Sequence, residues 1–376
     1  MIEERKKFVD EVLNPNNRTS FSEICRNYNI APKTGYKWVN NFYEKGLEGL
    51  NDLSRTPHSN PNAISSEVKN QVIAIRHQYP KWGPKKIQAE LKSLYVHLKI
   101  PSEGSIGNIL SENNLSAKRL YRKHMAKTAP LVECIESNHT WMYDFKGWFL
   151  TGDKAKCEPL TITDGFSRYL ILCQNMSKKG SSNVWSELEK VFYEFGLPLR
   201  MRSDNGAPFA SLAVGRLSSV AIKLIKVGVI PEWIKPGCPQ ENGRHERFHL
   251  TLKNETAFPP ALSLSLQQEK FDQFKKYYNN IRYHEALNQK KPVDIYKPSP
   301  RIWDGKFRSP EYSSEYEIRK VCAGGNISWK GTYFFISEVL KGEYVGLIEI
   351  EVGLMEIYYG PILLGMIDMN KGFKRI

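Results

Sequence analysis

The segment from Asn138 to about residue 250 switches repeatedly between strand-like and helix-like patterns, and this alternation limits the folds open to the chain. The runs HTWMYDFKGWFL and EPLTITDGFSRYLILCQN alternate apolar with polar residues, which predicts antiparallel strands separated by turns. The pattern then predicts a helix over 182–195, a strand over 198–203, a helix over about 214–227, a strand over 229–234 and a helix beginning near Glu241. Elements in this order predict one α/β layer with a five-stranded mixed sheet, closed by a helix over 265–281.

The first 52 residues are helical in pattern. Helices are predicted over 2–13, after a cap at Ser20 or Ser22, and from Pro32 to a stop at Gly46, because proline suits the first helical turn and glycine the position after the last. Tyr36, Val39 and Tyr43 fall on one face of the third helix, and three polar side chains lead it, namely Lys33, Thr34 and Lys37. This arrangement is typical of a helix-turn-helix that enters the DNA major groove, and the alternative is a plain three-helix bundle.

A second helical unit is predicted over 64–122, after a Pro/Ser/Asn-rich linker over 53–63 in which Arg55 is a candidate phosphate contact. Its three helices are expected over 67–78, from Trp82-Gly83-Pro84 to Leu94, and over 102–113. Lys85, Lys86 and Lys92 would give this unit a basic edge, so it is interpreted as a second helix-turn-helix.

Charge and composition restrict the partners of the chain. The net charge is +14, and residues 1–130 carry 21 Lys and Arg against 12 Asp and Glu, which favours a polyanion partner for this part of the chain. The six cysteines contain no CxxC pair, so neither a disulfide framework nor a cysteine zinc site is expected. No secretory leader and no run of 18 apolar residues is found, so we expect an intracellular, reduced protein without a membrane span.

Residues 312–376 return to short strands punctuated by glycines, a spacing that predicts a small β-barrel or curled sheet. Trp329 and Tyr333 are expected in its core. Its local charge leaves non-specific DNA contact, multimerisation and a structural role all open.

Three carboxylates occupy unusual places in the α/β segment. Asp144 lies inside a strand between Tyr143 and Phe145, Asp204 ends the fourth strand before Asn205-Gly206, and Glu246 lies one turn into a helix. A carboxylate in a strand interior needs a partner, because burying it bare costs several kcal/mol. Three hard oxygen ligands converging from two strands and a helix would suit Mg²⁺ or Mn²⁺, and two such ions about 4 Å apart can support an in-line phosphoryl displacement.

The blocks HTWMYDFKGWF, TDGFSRY, SDNGAPF, PGCPQENGRHERFHLTLKNE and YNNIRYHEALNQKKP resemble, in this order, the catalytic core of insertion-sequence DDE transposases. The resemblance covers roughly residues 15–300, and it implies a ribonuclease H-like core over 131–298, as in retroviral integrases. It also implies that Asp144, Asp204 and Glu246 are the catalytic, metal-binding triad, with two Mg²⁺, Mn²⁺ as a substitute and no zinc. Arg244 and Lys253 would then contact DNA.

The same resemblance implies an enzyme that cuts the ends of a mobile element and joins the 3′-hydroxyl to target DNA. Its partners would be double-stranded DNA, both the terminal repeats and the target, and further copies of itself in a dimer or larger assembly. Its location would be the cytoplasm of a prokaryote, on the nucleoid.

Some features depart from the family pattern or favour other classes. The 41 residues between Asp204 and Glu246 exceed the spacing of many members, and Glu241 competes with Glu246 for the third position. His245-Glu246-Arg247-Phe248-His249 also matches the HExxH helix of zinc proteases, although Arg247 would place a cation in such a site. A DNA-binding regulator without catalysis is the other alternative.

Overall fold

The computed structural model describes residues 2–52, 63–116, 133–176, 178–235, 243–369 and 371–375. The chain divides into two compact units, Met1–Ser65 and Ser66–Ile376. The finer division into domains at 1–52, 64–122, 131–298 and 312–376 stays a prediction.

The first unit contains three helices around a small apolar core. They are α1 (Ile2–Leu13), α2 (Phe21–Asn27) and α3 (Pro32–Lys45), followed by a 3-10 turn over Gly46–Leu50. Its buried residues are Phe8, Val9, Ile24, Cys25, Val39 and Leu50. The predicted helices are confirmed, but Tyr36 and Tyr43 do not share the buried face with Val39, since they are 56% and 70% exposed. Tyr36 instead stacks on Phe21, with ring centroids 4.1 Å apart.

Gly35 is the point of closest approach of α3 to the other helices. A Cβ atom at this position would lie 2.8 Å from Sγ of Cys25 and 2.8 Å from the ring of Phe8. We therefore expect Gly35→Ala to destabilise the first unit by about 1–3 kcal/mol, because the core must shift to admit the methyl group. Thermal unfolding of the full chain checks this, with Asn40→Ala on the exposed side of α3 as the control; equal melting curves for the two variants would contradict it.

The second unit contains seven helices and all the strands among the described residues. The helices are α4 (Ser66–Gln78), α5 (Pro84–Leu94), α6 (Glu103–Glu112), α7 (Ser181–Phe195), α8 (Ser219–Lys226), α9 (Gly243–Leu252) and α10 (Leu264–Asn280). The strands are β1 (Thr140–Phe145), β2 (Phe149–Leu150), β3 (Lys156–Cys157), β4 (Pro159–Asp164), β5 (Leu170–Asn175), β6 (Arg200–Ser203), β7 (Ile230–Trp233), β8 (Glu317–Lys320), β9 (Asn326–Trp329), β10 (Thr332–Phe335), β11 (Tyr344–Glu351), β12 (Leu354–Tyr359), β13 (Ile362–Asp368) and β14 (Gly372–Arg375).

Five strands form the central mixed sheet in the order β5-β4-β1-β6-β7. β1 pairs antiparallel with β4 and parallel with β6, and β6 pairs parallel with β7. Both faces are covered by helices, which is why β4 is buried along its whole length. The five-stranded mixed sheet expected from the sequence is confirmed.

Helix α8 is buried on two sides. Val220 and Leu224 pack in the core of the central sheet, whereas Ala221 and Ile225 pack in the core of the C-terminal strands. The helix α8 is shorter than the one predicted over 214–227, because Leu217 and Ser218 have extended backbone, with ψ of 118° and 169°, and separate a 3-10 turn over Val214–Arg216 from α8.

The C-terminal region is rich in β-structure, but the small closed barrel expected from the sequence is wrong. Among the described strands, β14-β13-β12-β11-β8 form one open sheet and β9-β10 a separate pair, and no pairing joins their ends into a ring. Trp329 is buried as expected, whereas Tyr333 is 74% exposed. Alternation along the chain and glycine spacing predict that strands occur. Whether a sheet closes into a barrel depends on which edge strands pair with each other, and these patterns do not determine that pairing.

No helix in the described ranges is both long and apolar enough to cross a lipid bilayer.

Candidate catalytic site

The register of two parallel strands places Asp144 and Asp204 beside each other. Thr140 is opposite Arg200, and Met142 is opposite Arg202. Continuing this register by two residues brings Asp144, near the end of β1, level with Asp204, the first residue after β6. Two carboxylates therefore meet at the carboxyl ends of adjacent strands, where ligand sites of α/β sheets form.

Glu246 comes from α9, which packs against β4 and α10. The helix buries His245, Phe248 and Leu252, and Glu246 lies on its exposed side. Glu241, the competing acid, is outside the described residues.

The pKa of Asp144 reflects its burial and its charged neighbours. Burial, the neighbouring carboxylate of Asp204 and, more weakly, that of Glu246 raise the pKa of Asp144 to about 7, while Lys179 opposes the shift. Each acid makes ionisation of Asp144 harder, and a divalent cation would offset this. Among the described residues, however, the ligand atoms of the three acids do not form a group within 4.8 Å of one another. Hard oxygen ligands are the donors that Mg²⁺ prefers.

This shift predicts a pH-dependent stability in chelator. The folded-state pKa of about 7 lies above the ordinary aspartate pKa of 3.8, so the carboxyl costs nothing when protonated and destabilises the fold as pH rises between these values. Asp144→Asn should therefore raise the free energy of unfolding, and this gain should grow from about pH 4 to about pH 7. At pH values above about 7 the gain should be about 2–4 kcal/mol, since one pKa unit is about 1.4 kcal/mol. Urea unfolding at pH 5, 6, 7 and 8 would reveal this, and a difference independent of pH would argue against it.

The two histidines of the HExxH match face the sheet. The Thr161 hydroxyl lies 2.9 Å from Nε2 of His245 and 2.8 Å from Nε2 of His249, and the Thr163 hydroxyl lies 3.0 Å from Nδ1 of His245. Ligand atoms of Asp144, His245 and His249 also lie within 4.8 Å of one another, a grouping compatible with a metal ion. Three of the four ring nitrogens are engaged by threonine hydroxyls, however, so direct coordination by both imidazoles would require breaking these bonds.

Lys146 is a cation close to Asp144 in the chain that sequence reasoning missed. Lys146 follows Asp144 by two residues, and its N–H still donates to the carbonyl of Pro159, so the strand pattern directs both side chains to the same face. Burial and the nearby Lys253 lower the pKa of Lys146. The run Asp144-Phe145-Lys146 contained the signal for this residue. Alternate residues of a strand share a face, so Lys146 could have been placed on the face of the Asp144 carboxylate.

Lys253 itself is exposed and lies 5.2 Å from the ring centroid of Phe258. It begins a π-helical turn over Lys253–Ala257, directly after α9 ends at Leu252.

The other predicted DNA contacts are dispersed. Lys33 and Lys37 are exposed at the start of α3, Thr34 is half-buried, Arg244 is exposed on α9, and Arg55 lies outside the described residues.

Lys85 and Lys86 have a different environment, because the start of α5 faces the catalytic core. Lys85 forms an ion pair with Glu285. Lys86 is half-buried, and burial together with Arg282 lowers the pKa of Lys86 to about 7.

Asp164, in the TDGFSRY block, has a structural environment. Its carboxylate accepts hydrogen bonds from the backbone N–H groups of Asn138 (2.8 Å) and Ser167 (2.7 Å) and from the Ser167 hydroxyl (2.6 Å). This network closes the turn between β4 and β5. The polar residues of the TDGFSRY block therefore have a structural role, and none of them belongs to the predicted triad.

Three family models match the chain. A helix-turn-helix domain matches residues 4–58, a homeodomain-like domain residues 34–110, and an integrase core domain residues 227–292.

Similar folds occur among solved structures. The catalytic core domain of HTLV-2 integrase in complex with magnesium is 18% identical, covers 44% of this chain and 100% of its own, and has a TM-score of 0.35. The simian T-cell lymphotropic virus intasome in complex with PP2A regulatory subunit B56 gamma is 15% identical, covers 77% and 97%, and has a TM-score of 0.39. The catalytic core domain of BIV integrase is 18% identical, covers 42% and 93%, and has a TM-score of 0.32.

The helix-turn-helix and integrase core matches, together with the five-stranded mixed sheet, support a transposase or integrase with a ribonuclease H-like core. The chain combines regions that match helix-turn-helix models with a region that matches an integrase core domain.

Proposed function

We propose that this protein is a DNA transposase that cuts the ends of a mobile element and joins them to target DNA, with Asp144, Asp204 and Glu246 as catalytic metal ligands. The observation that carries the proposal is the register of β1 and β6, which brings Asp144 level with Asp204. The raised pKa of Asp144, caused first by burial, then by Asp204 and least by Glu246, agrees with it. Carboxylates that make the ionisation of Asp144 harder favour positive charge in the site, and divalent cations are the matching partners.

The proposed reaction is an in-line displacement at phosphorus. In the first step the oxygen of water bonds to phosphorus and the bond to the 3′-oxygen breaks, which leaves a 3′-hydroxyl and a 5′-phosphate. In the second step that hydroxyl bonds to a phosphorus of target DNA, and the target's own 3′-oxygen leaves. Two divalent ions, Mg²⁺ or Mn²⁺, would supply activation of the attacking oxygen and charge stabilisation of the leaving one.

The residues of the chain would hold the ions and position the phosphate. Asp144 and Asp204 are fixed by paired strands, which keeps their separation constant, and Glu246 completes the ligand set from the helix. Lys146 and Lys253 would contact the phosphate that carries the developing negative charge. The similarity of the core to the magnesium-bound HTLV-2 integrase domain suggests Mg²⁺ as the first ion to test.

DNA recognition is assigned to the helix-turn-helix regions, with Lys33, Thr34 and Lys37 of α3 as the leading contacts. Lysine and arginine contacts to phosphate make such binding depend steeply on salt. Bringing two DNA ends together would require at least two copies of the chain.

The test is cleavage and strand transfer by the full chain on DNA that carries the sequences flanking its gene, with Mg²⁺, Mn²⁺ or chelator. We expect nicks that expose a 3′-hydroxyl and joined products with either metal, and none in chelator. Tight DNA binding without cleavage in any metal would instead identify a regulator that has kept the fold.

A further inference from the structure

A single buried hydroxyl connects two elements of the proposed catalytic site. Thr161 lies on β4 directly opposite Asp144 on β1, and its side chain is fully buried. Its hydroxyl lies 3.1 Å from the backbone carbonyl of Asp144, and it is also within hydrogen-bond distance of His245 and His249 on α9. The helix that carries Glu246 is therefore tied to the strand residue that carries the first carboxylate.

The directions of these hydrogen bonds follow from the groups involved. A carbonyl oxygen only accepts, so the Thr161 hydroxyl donates a hydrogen bond to the backbone carbonyl of Asp144. The lone pairs of the same hydroxyl oxygen accept hydrogen bonds from the Nε2–H groups of His245 and His249. Nδ1 of His245 then accepts from the Thr163 hydroxyl. Burial lowers the pKa of both imidazoles, that of His249 to about 3, which agrees with two neutral rings that each carry one N–H.

The spacing of the two histidines explains why both reach one atom. Residues four apart lie on the same face of a helix, and the two rings are in contact, with centroids 4.4 Å apart. Two bonds one turn apart restrict both the rotation of α9 about its axis and its sliding along the sheet. Glu246 adjoins His245, so its position relative to Asp144 depends on this restriction.

We propose that Thr161, His245 and His249 form a positioning relay that sets the separation of the Asp144 and Glu246 carboxylates for metal binding. The proposal rests on the function proposed above, and it gives the HExxH match a role in helix docking. The three side chains act through the metal ligands, as outer partners do in metal sites generally.

The test compares Thr161→Val, which removes the hydroxyl at nearly constant volume, with Thr161→Ser, which keeps it. The readout is the Mg²⁺ concentration that gives half-maximal DNA cleavage. We expect Thr161→Val to raise it by roughly 10–100-fold, as is usual when outer partners of metal ligands are removed, with activity recovering at high Mg²⁺. Thr161→Ser should stay close to wild type. Thr140→Val is the control, because Thr140 is a buried threonine of the same sheet whose hydroxyl contacts His139 instead.

A second variant covers the case in which Thr161→Val does not fold. His249→Leu changes a half-buried ring on α9 and should also raise the Mg²⁺ requirement. An unchanged Mg²⁺ requirement in folded Thr161→Val or His249→Leu would overturn the relay. Stoichiometric Zn²⁺ binding by wild type that His249→Leu abolishes would overturn it too, because the imidazoles would then be metal ligands.

Mn²⁺ binding without DNA separates failure of the relay from failure of the proposed function. Electron paramagnetic resonance of free Mn²⁺ measures the affinity of the protein directly. If wild type cleaves no DNA but Thr161→Val still binds Mn²⁺ more weakly than Thr161→Ser, the relay stands and the proposed reaction does not. Equal Mn²⁺ affinity in the two variants would reject the relay even in an active enzyme.

Discussion

Replacing Asp144 by asparagine is expected to lower the rate of metal-dependent DNA cleavage by about 1,000-fold or more, which corresponds to ~4 kcal/mol of transition-state stabilisation. The amide has nearly the same shape but no charge, so it cannot help to hold two divalent cations. Asp204→Asn and Glu246→Gln should have effects of similar size, because the proposed metal site draws one ligand from each. Gel-based assays of nicking and strand transfer at fixed Mg²⁺ would measure these rates.

DNA binding should persist in all three variants, because the helix-turn-helix contacts are separate from the carboxylates. Glu269→Gln on the exposed side of α10 is the matched control, since it removes one charge from the same unit without touching the site. A variant of Asp144 or Glu246 that cleaves at the rate of Glu269→Gln would exclude that residue from the triad. Loss of DNA binding together with cleavage would mean that folding had been damaged.

Replacing Trp82 by alanine is expected to destabilise the second unit by about 3–5 kcal/mol, because the largest side chain between α4 and α5 would leave a cavity. Trp82 is fully buried, stacks on Tyr79 at 4.0 Å, and donates its indole N–H to the hydroxyl of Tyr277 on α10 at 2.7 Å. The side chain thus contributes both to the core of the α4–α6 region and to its contact with the catalytic core. Calorimetry together with hydrogen exchange over 66–112 would show the loss.

Tyr277→Phe provides the comparison, because it removes only the accepting hydroxyl and should cost about 1 kcal/mol. If Trp82→Ala were no less stable than Tyr277→Phe, Trp82 would not be a main contact of this region.

The contact between the α4–α6 region and the core also bears on the basic edge predicted for α5. Lys85 pairs with Glu285, and Lys81 lies 3.4 Å from Glu255, so this edge meets acids of the core in the free protein.

Local sequence signals were sufficient for most elements of the fold. The helix limits of α1 and α3 follow from Pro32, Gly46 and the asparagine-rich turn after Leu13, because these residues act within a few positions of themselves. The strands of the central sheet follow from alternation and from β-branched residues. Signals of this kind failed for Tyr36 and Tyr43, where helical spacing placed two tyrosines with Val39 although they are exposed.

The sequence by itself determined the element order, the two helical regions, the mixed sheet and three acids at positions where carboxylates need partners. Only the tertiary structure decided that Asp144 and Asp204 share a strand register, that Lys146 lies near Lys253, and that Thr161 connects β1 to α9. It also decided that the C-terminal strands form an open sheet and that α5 faces the core. The physical reason is that propensity and periodicity act over one or two turns, whereas register, edge pairing and buried hydrogen bonds depend on residues far apart in the chain.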